Sequence, residues 1–365
     1  MTDYTPNIAV SKRVIRTPYG REDDALGPLK LLPGTWANIR PEHRIEVDDE
    51  RDPFEGEGTR QGQGKSPFDG RGWNLIALPF AEEGQFRNYR LLMNQYNEVL
   101  RFDKVDDAVP NRGISDERPA ENTDQEVAAL DYQQQIKQIV AKDVSESGIA
   151  GAPMLPIHHE PGFFLHMKKQ TVNGFDIARL ATIPHGNSAT AIGVSREFDG
   201  RPDIPSLSGF PEGVTADDIT EAVDAATAPN SYLFPYNAFT KNPFTGVVQV
   251  PNFPGFSPLN ANLLLQGGVP VNVARTTELK METDVLEAGI VNIPFVERQA
   301  DAALMRSTFW IMELDQIDEK TGKPKLILAY SQFIFLDFFP RRDGVPGLIR
   351  WPHISINIME KIEEP

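Results

Sequence analysis

The chain carries six histidines and no cysteine, so any soft metal or haem iron it holds must be held through an imidazole. One of them, His353, stands in the segment Arg350 to Met359, whose alternation reads as a β-strand. On that strand Ile354, Ile356 and Ile358 form one face, while His353, Ser355 and Asn357 form the other. The chemistry open to His353 therefore depends on where the isoleucines go. If they line the interior of the fold, the imidazole faces outward. If they pack outward, it faces a pocket.

Four more histidines are His158, His159, His166 and His185. The pair His158-His159 followed by Glu160 has metal-ligand residue types, yet neighbours on a strand point to opposite faces, which argues against one shared ion. His166, among Phe163, Phe164, Leu165 and Met167, reads as a packed histidine. His185 lies in a turn by composition, Ile183-Pro184-His185-Gly186-Asn187, and reads as structural or solvent-facing. The carboxylates Asp131, Glu160, Glu313 and Asp337 are isolated in sequence, so no paired-carboxylate hydrolase is indicated.

Other classes are excluded more firmly. Without cysteine there are no disulfides, thiolate nucleophiles, iron–sulfur clusters or sulfur-ligated zinc sites. The glycines form neither a phosphate-cradling loop nor a dinucleotide fingerprint, and no Gly-X-Ser-X-Gly occurs. A net charge of −16 without a basic cluster argues against nucleic acid as a partner. No apolar run is long enough to insert in a membrane and the opening residues lack a signal-peptide layout, so a cytoplasmic location is expected.

The elements that position these residues are mostly strands. Residues 1–27 read as an N-terminal arm ending at Gly27-Pro28, and 28–362 as one β-barrel domain. Strands are expected from Trp36 to Arg40, Trp73 to Leu78, Phe86 to Phe102, Leu130 to Ile136, Phe163 to Lys169, Ala178 to Ile183 and Thr190 to Ser195. After Phe198, Pro and Gly recur to Pro258, which reads as an insertion over 198–258. Its one expected helix runs from Ala216 to Thr227, opened by Thr215 with Asp218 and stopped by Pro229. Strands resume at Val271, Glu278, Thr308, Leu326 and Arg350. About ten strands with Gly/Pro-rich turns and little helix predict an all-β fold, a closed barrel or a sandwich.

Several segments resemble, in order, the nitrobindin family, haem-binding β-barrels of the calycin type related to fatty-acid-binding proteins and lipocalins. They are Leu29-Lys30-Leu31-Leu32-Pro33-Gly34-Thr35-Trp36, Pro156-Ile157-His158-His159-Glu160-Pro161-Gly162-Phe163, Ala178 to Gly186, and His353 to Ile362. Trp36 departs from the pattern, being followed by Ala37-Asn38-Ile39-Arg40 where the family has alternating glycines. The resemblance implies a single calycin-like antiparallel barrel with long loop insertions and one or two short helices. It implies haem b as cofactor, His353 as iron ligand and His158 near the haem, with reactivity towards nitric oxide or peroxynitrite. The rival is a lipocalin-like barrel that binds, or transforms with Tyr132, Glu160 or Arg350, a hydrophobic small molecule without haem. The number of copies that assemble is open, a homo-oligomer included.

Overall fold

A computed structural model describes residues 23–38, 70–81, 83–84, 86–115, 117–183, 185–319 and 321–362. The arm expected over 1–27 falls largely outside the described residues, and so does the Gly-, Asp- and Glu-rich stretch from Asp48 to Arg71. The strands are β1 (Gly34–Ala37), β2 (Gly72–Pro79), β3 (Tyr89–Asn111), β4 (Gln125–Val144), β5 (Pro156–Met167), β6 (Ile177–Ile183), β7 (Asn187–Asp199), β8 (Val273–Glu282), β9 (Gly289–Asn292), β10 (Asp301–Ile317), β11 (Pro324–Pro340) and β12 (Leu348–Ile362).

Consecutive strands pair antiparallel from β2 round to β8, then β10, β11 and β12, and β12 returns to pair with both β1 and β2. The result is a closed ten-strand barrel in which β1 and β2 together make one stave. β1 lies along Val99 to Phe102 of β3, and β2 along Tyr89 to Tyr96, so the chain leaves the wall after Ala37 and re-enters it in the same direction at Gly72. The strand that carries Trp36 pairs with the strand that carries His353, Thr35 opposite Ile362, and β2 pairs with the same strand, Leu75 opposite Ile354.

Strand alternation sorts side chains between two cores. Inside, a 3-10 turn over Asp23–Leu29 closes one end, and Leu26, Leu29, Leu32 and Trp36 pack there on Leu100, Phe102 and Phe164. Trp36 donates its indole N–H to Leu32 O at 2.8 Å, which satisfies the polar atom of a fully buried ring. Gly27 is required at this plug: its φ is +54°, and a Cβ there would sit 2.3 Å from Cε1 of His166. His166 is thus a packed histidine, and burial lowers its pKa.

Outside, the segment between β7 and β8 lies on the wall made by β2, β3, β11 and β12. Ile354, Ile356 and Ile358 pack in this outer core with Phe210, Tyr236 and Phe256. The isoleucines therefore face away from the barrel interior, and the insertion covers their face. Its helices among the described residues are α1 (Ala216–Thr220), α2 (Phe234–Lys241) and α3 (Leu263–Gly268); a further helix, α4 (Pro294–Ala300), lies between β9 and β10.

The helix expected over 216–227 starts as predicted, with Thr215 and Asp218 in a reciprocal capping box, but ends at Thr220. Side-chain amides take its terminal carbonyls: Asn237 donates to Ala222 O at 2.8 Å and Asn230 to Glu221 O at 2.8 Å. Asp224 is meanwhile held by Arg87 at 2.7 Å. The covering segment also runs further than the expected 198–258, from the end of β7 at Asp199 to Val273, and includes α3.

Candidate functional site

The end of the barrel away from the plug holds a cavity of about 690 Å³, within the roughly 300–1,000 Å³ typical of small-molecule sites. Its depth is ordered by register. His353 pairs with Ile334, Ser355 with both Gln332 and Asn74, and Asn74 with Asn94, so a polar row crosses four neighbouring strands one step below the imidazole. Towards the mouth the lining turns apolar, with Leu78, Leu155 and Phe295 of α4 partly open to solvent. None of the described lining residues is Lys, Arg, Asp or Glu.

Three imidazoles line this space: His353, His158 and His185. Following the wall from β12 through the β1/β2 stave, β3, β4 and β5 to β6 takes five steps of the ten, so β12 and β6 are diametrically opposed. His353 thus stands on one side, with His158 on β5 and His185 just beyond β6 on the other. Burial, then the neighbouring His158 and His185, pushes the pKa of His353 down to about 3, which leaves it neutral at physiological pH. His353 forms no hydrogen bond to a described residue, and neither ring nitrogen is sealed in the wall.

His158 is oriented from behind. Its Nε2 lies 3.1 Å from Oε2 of Glu160, and the rings of His158 and His185 stack with centroids 6.0 Å apart. Glu160 is fully buried; burial alone would raise its pKa, but the Arg179 charge and then His158 overcome this and bring it down to about 2. Arg179 spends its fork on three acceptors: Glu160 at 2.5 Å, the Tyr132 hydroxyl at 3.0 Å and Gln332 Oε1 at 2.6 Å. Tyr132 donates its own hydroxyl to Glu160. Gly162 in the middle of β5 makes this possible, because a Cβ there would lie 2.0 Å from Leu180 O and 2.8 Å from the Tyr132 ring.

A second buried network separates cavity from plug. Glu98 accepts from Tyr330, Gln134 and Asn357, each at 2.7 Å, and Tyr330 meets the Tyr96 hydroxyl at 2.8 Å. Burial raises the pKa of Glu98 against these donors. Asn38 ties the layer to the wall through Asn357 Oδ1 at 3.2 Å.

Of the residues singled out in the sequence, His353, His158 and His185 are brought to one cavity, while His159 faces away on the other side of β5, as strand alternation requires. Tyr132 and Glu160 join the network behind His158. Arg350 is not at the cavity: it pairs with Asp337 at 3.3 Å. Glu98, Arg179 and Tyr330 were missed. The available signal was phase, since Asn94, Tyr96 and Glu98 share one side of β3 with Leu100, and Arg179 shares one side of β6 with Ile177, Ala181 and Ile183.

No protein-family model and no curated protein matches the chain. Among solved structures, the chain is similar to that titled "Crystal Structure of Rv2717c from M. tuberculosis", at a TM-score of 0.36 and 13% identity over 94% of this chain and 99% of that one. No helix among the described residues is long and apolar enough to cross a membrane.

Proposed function

We propose that this barrel binds haem, with His353 as the iron ligand and His158 on the facing wall. The observation that carries the reading is a neutral imidazole with no hydrogen-bond partner among the described residues, presented to a largely apolar cavity of ligand size. A neutral ring with a free lone pair is the form that ligates iron. None of the described lining residues is Lys or Arg and the Arg179 fork is already spent, so the carboxylates of a bound haem would meet no cation on the described lining.

The chain's own residues then divide the work. His353 supplies one lone pair, the mostly aliphatic walls exclude water, and the Glu160-backed His158 offers a hydrogen-bonding group opposite. Haem, when bound, supplies iron of the kind the family resemblance associates with nitric oxide or peroxynitrite. Titration of the purified chain with haemin tests this. A one-to-one complex with a sharp Soret band that His353→Ala fails to form is the expected result; equal binding by that variant would overturn the assignment.

A further inference from the structure

The wall facing His353 carries its own recognition chemistry. Nε2 of His158 points at a carboxylate and Nε2 of His185 at the Ile157 carbonyl, 3.3 Å away. Neither partner can donate, so Nε2 of each ring carries the proton, and in the neutral form of the ring Nδ1 is left as a bare acceptor. Nδ1 of His158 has no partner among the described residues and is not one of their sealed, unsatisfied atoms, and the residue that carries it lines the cavity. His185 sits nearer solvent, and its exposed ring extends the same face towards the mouth.

The surroundings define what this acceptor can take. An anion meets no Lys or Arg among the described lining residues, and Arg179 behind them is neutralised by Glu160 at 2.5 Å. A purely apolar molecule leaves the imidazole unpaired once water is displaced, which has a cost. An uncharged aromatic molecule with one O–H or N–H satisfies both conditions: its ring meets the aliphatic walls and its donor meets Nδ1. We infer that the Glu160–His158 dyad is a recognition site for the hydroxyl or N–H of an uncharged aromatic ligand of the phenol or indole class. This rests on the reading of the cavity as a ligand site and is independent of His353.

Three probes that share one ring system test it on the haem-free chain: naphthalene, 2-naphthol and 2-naphthoate, titrated by probe fluorescence. One good hydrogen bond corresponds to roughly three- to ten-fold in affinity. 2-Naphthol is expected to bind tighter than naphthalene by about that factor, and 2-naphthoate weaker than 2-naphthol by at least about ten-fold. His158→Phe should erase the naphthol preference and keep naphthalene binding. His353→Ala should keep the preference whether or not haem binding is lost, so the two readings fail separately.

Should His158→Phe not fold, ¹⁵N spectra of the unaltered chain decide: 2-naphthol should shift Nδ1 of His158, leaving its Nε2 protonated. The proposal is overturned by 2-naphthoate binding as well as 2-naphthol, by an unchanged preference in His158→Phe, by an unmoved Nδ1 resonance, or by no binding of any probe.

Discussion

His353 and Ile354 are neighbours on β12 and stand on opposite sides of the barrel wall, the imidazole in the cavity and the isoleucine under the covering segment. The same strand therefore serves two environments, and substitutions one residue apart should have unrelated effects.

His353→Ala should remove haem binding with little loss of stability, because the ring lines the cavity and makes no hydrogen bond to a described residue. The Soret band and a urea denaturation curve, measured on the same preparation, check both halves. Loss of haem together with unfolding would show that His353 is a packing residue.

Ile356→Ala should do the reverse. Truncating a fully buried isoleucine costs about 2–5 kcal/mol, yet the side chain faces the covering segment and not the ligand. The midpoint of denaturation should fall while haemin affinity stays within about two-fold, given that 1.4 kcal/mol is ten-fold.

Acid should not compete with iron for His353 in the usual range. A histidine at its ordinary value of about 6.5 would lose affinity roughly ten-fold per pH unit below it. With the pKa of His353 lowered to about 3, haemin affinity should be flat from pH 8 down to pH 5 wherever the chain stays folded. A steep loss near pH 6 would refute this.

Arg179→Met should be among the most damaging single changes, since it leaves the Glu160 carboxylate buried without its cation; breaking such pairs costs about 3–5 kcal/mol. The sign of the pH dependence follows. Glu160 has a depressed pKa, so the pair contributes in full above the ordinary carboxylate value of about 4.3, and that contribution is lost as pH falls towards about 2. His353 adds an earlier loss, starting near 6.5, where the unfolded imidazole takes up its proton. Glu98, with a raised pKa, acts the other way, its contribution falling as pH rises above about 4.3. Equilibrium denaturation of the native chain from pH 8 to pH 4 should therefore show stability declining on acidification, more steeply below about pH 6.5.

Much of this was readable in the sequence because period-2 alternation is local information. The split of β12 into an isoleucine face and a His353 face needs only the order of its residues, and so does the divergence of His158 from His159. What alternation does not say is which face is inside. That was decided by Phe210, Tyr236 and Phe256, far away in sequence, which cover the isoleucines. The end of the helix that opens at Thr215 was hidden for a related reason: Asn230 and Asn237 take carbonyls just past α1 that they meet only in the folded chain. Buried pairs such as Glu160 with Arg179 were hidden because each charge looks isolated until β5 and β6 pair.

The stave shared by β1 and β2 gives the barrel a seam. β1 is the shortest piece of wall, and the chain departs at Asn38, beside the layer where Asn357 and Tyr330 hold Glu98. A closed barrel ordinarily has no edge at which backbone amides exchange early. Here the amides of Thr35 to Ala37 and their partners Glu360 to Ile362 form only three rungs, as few as any pair of wall strands, so deuterium should reach the inner carboxyl layer from this side, at the blind end of the cavity and away from its mouth.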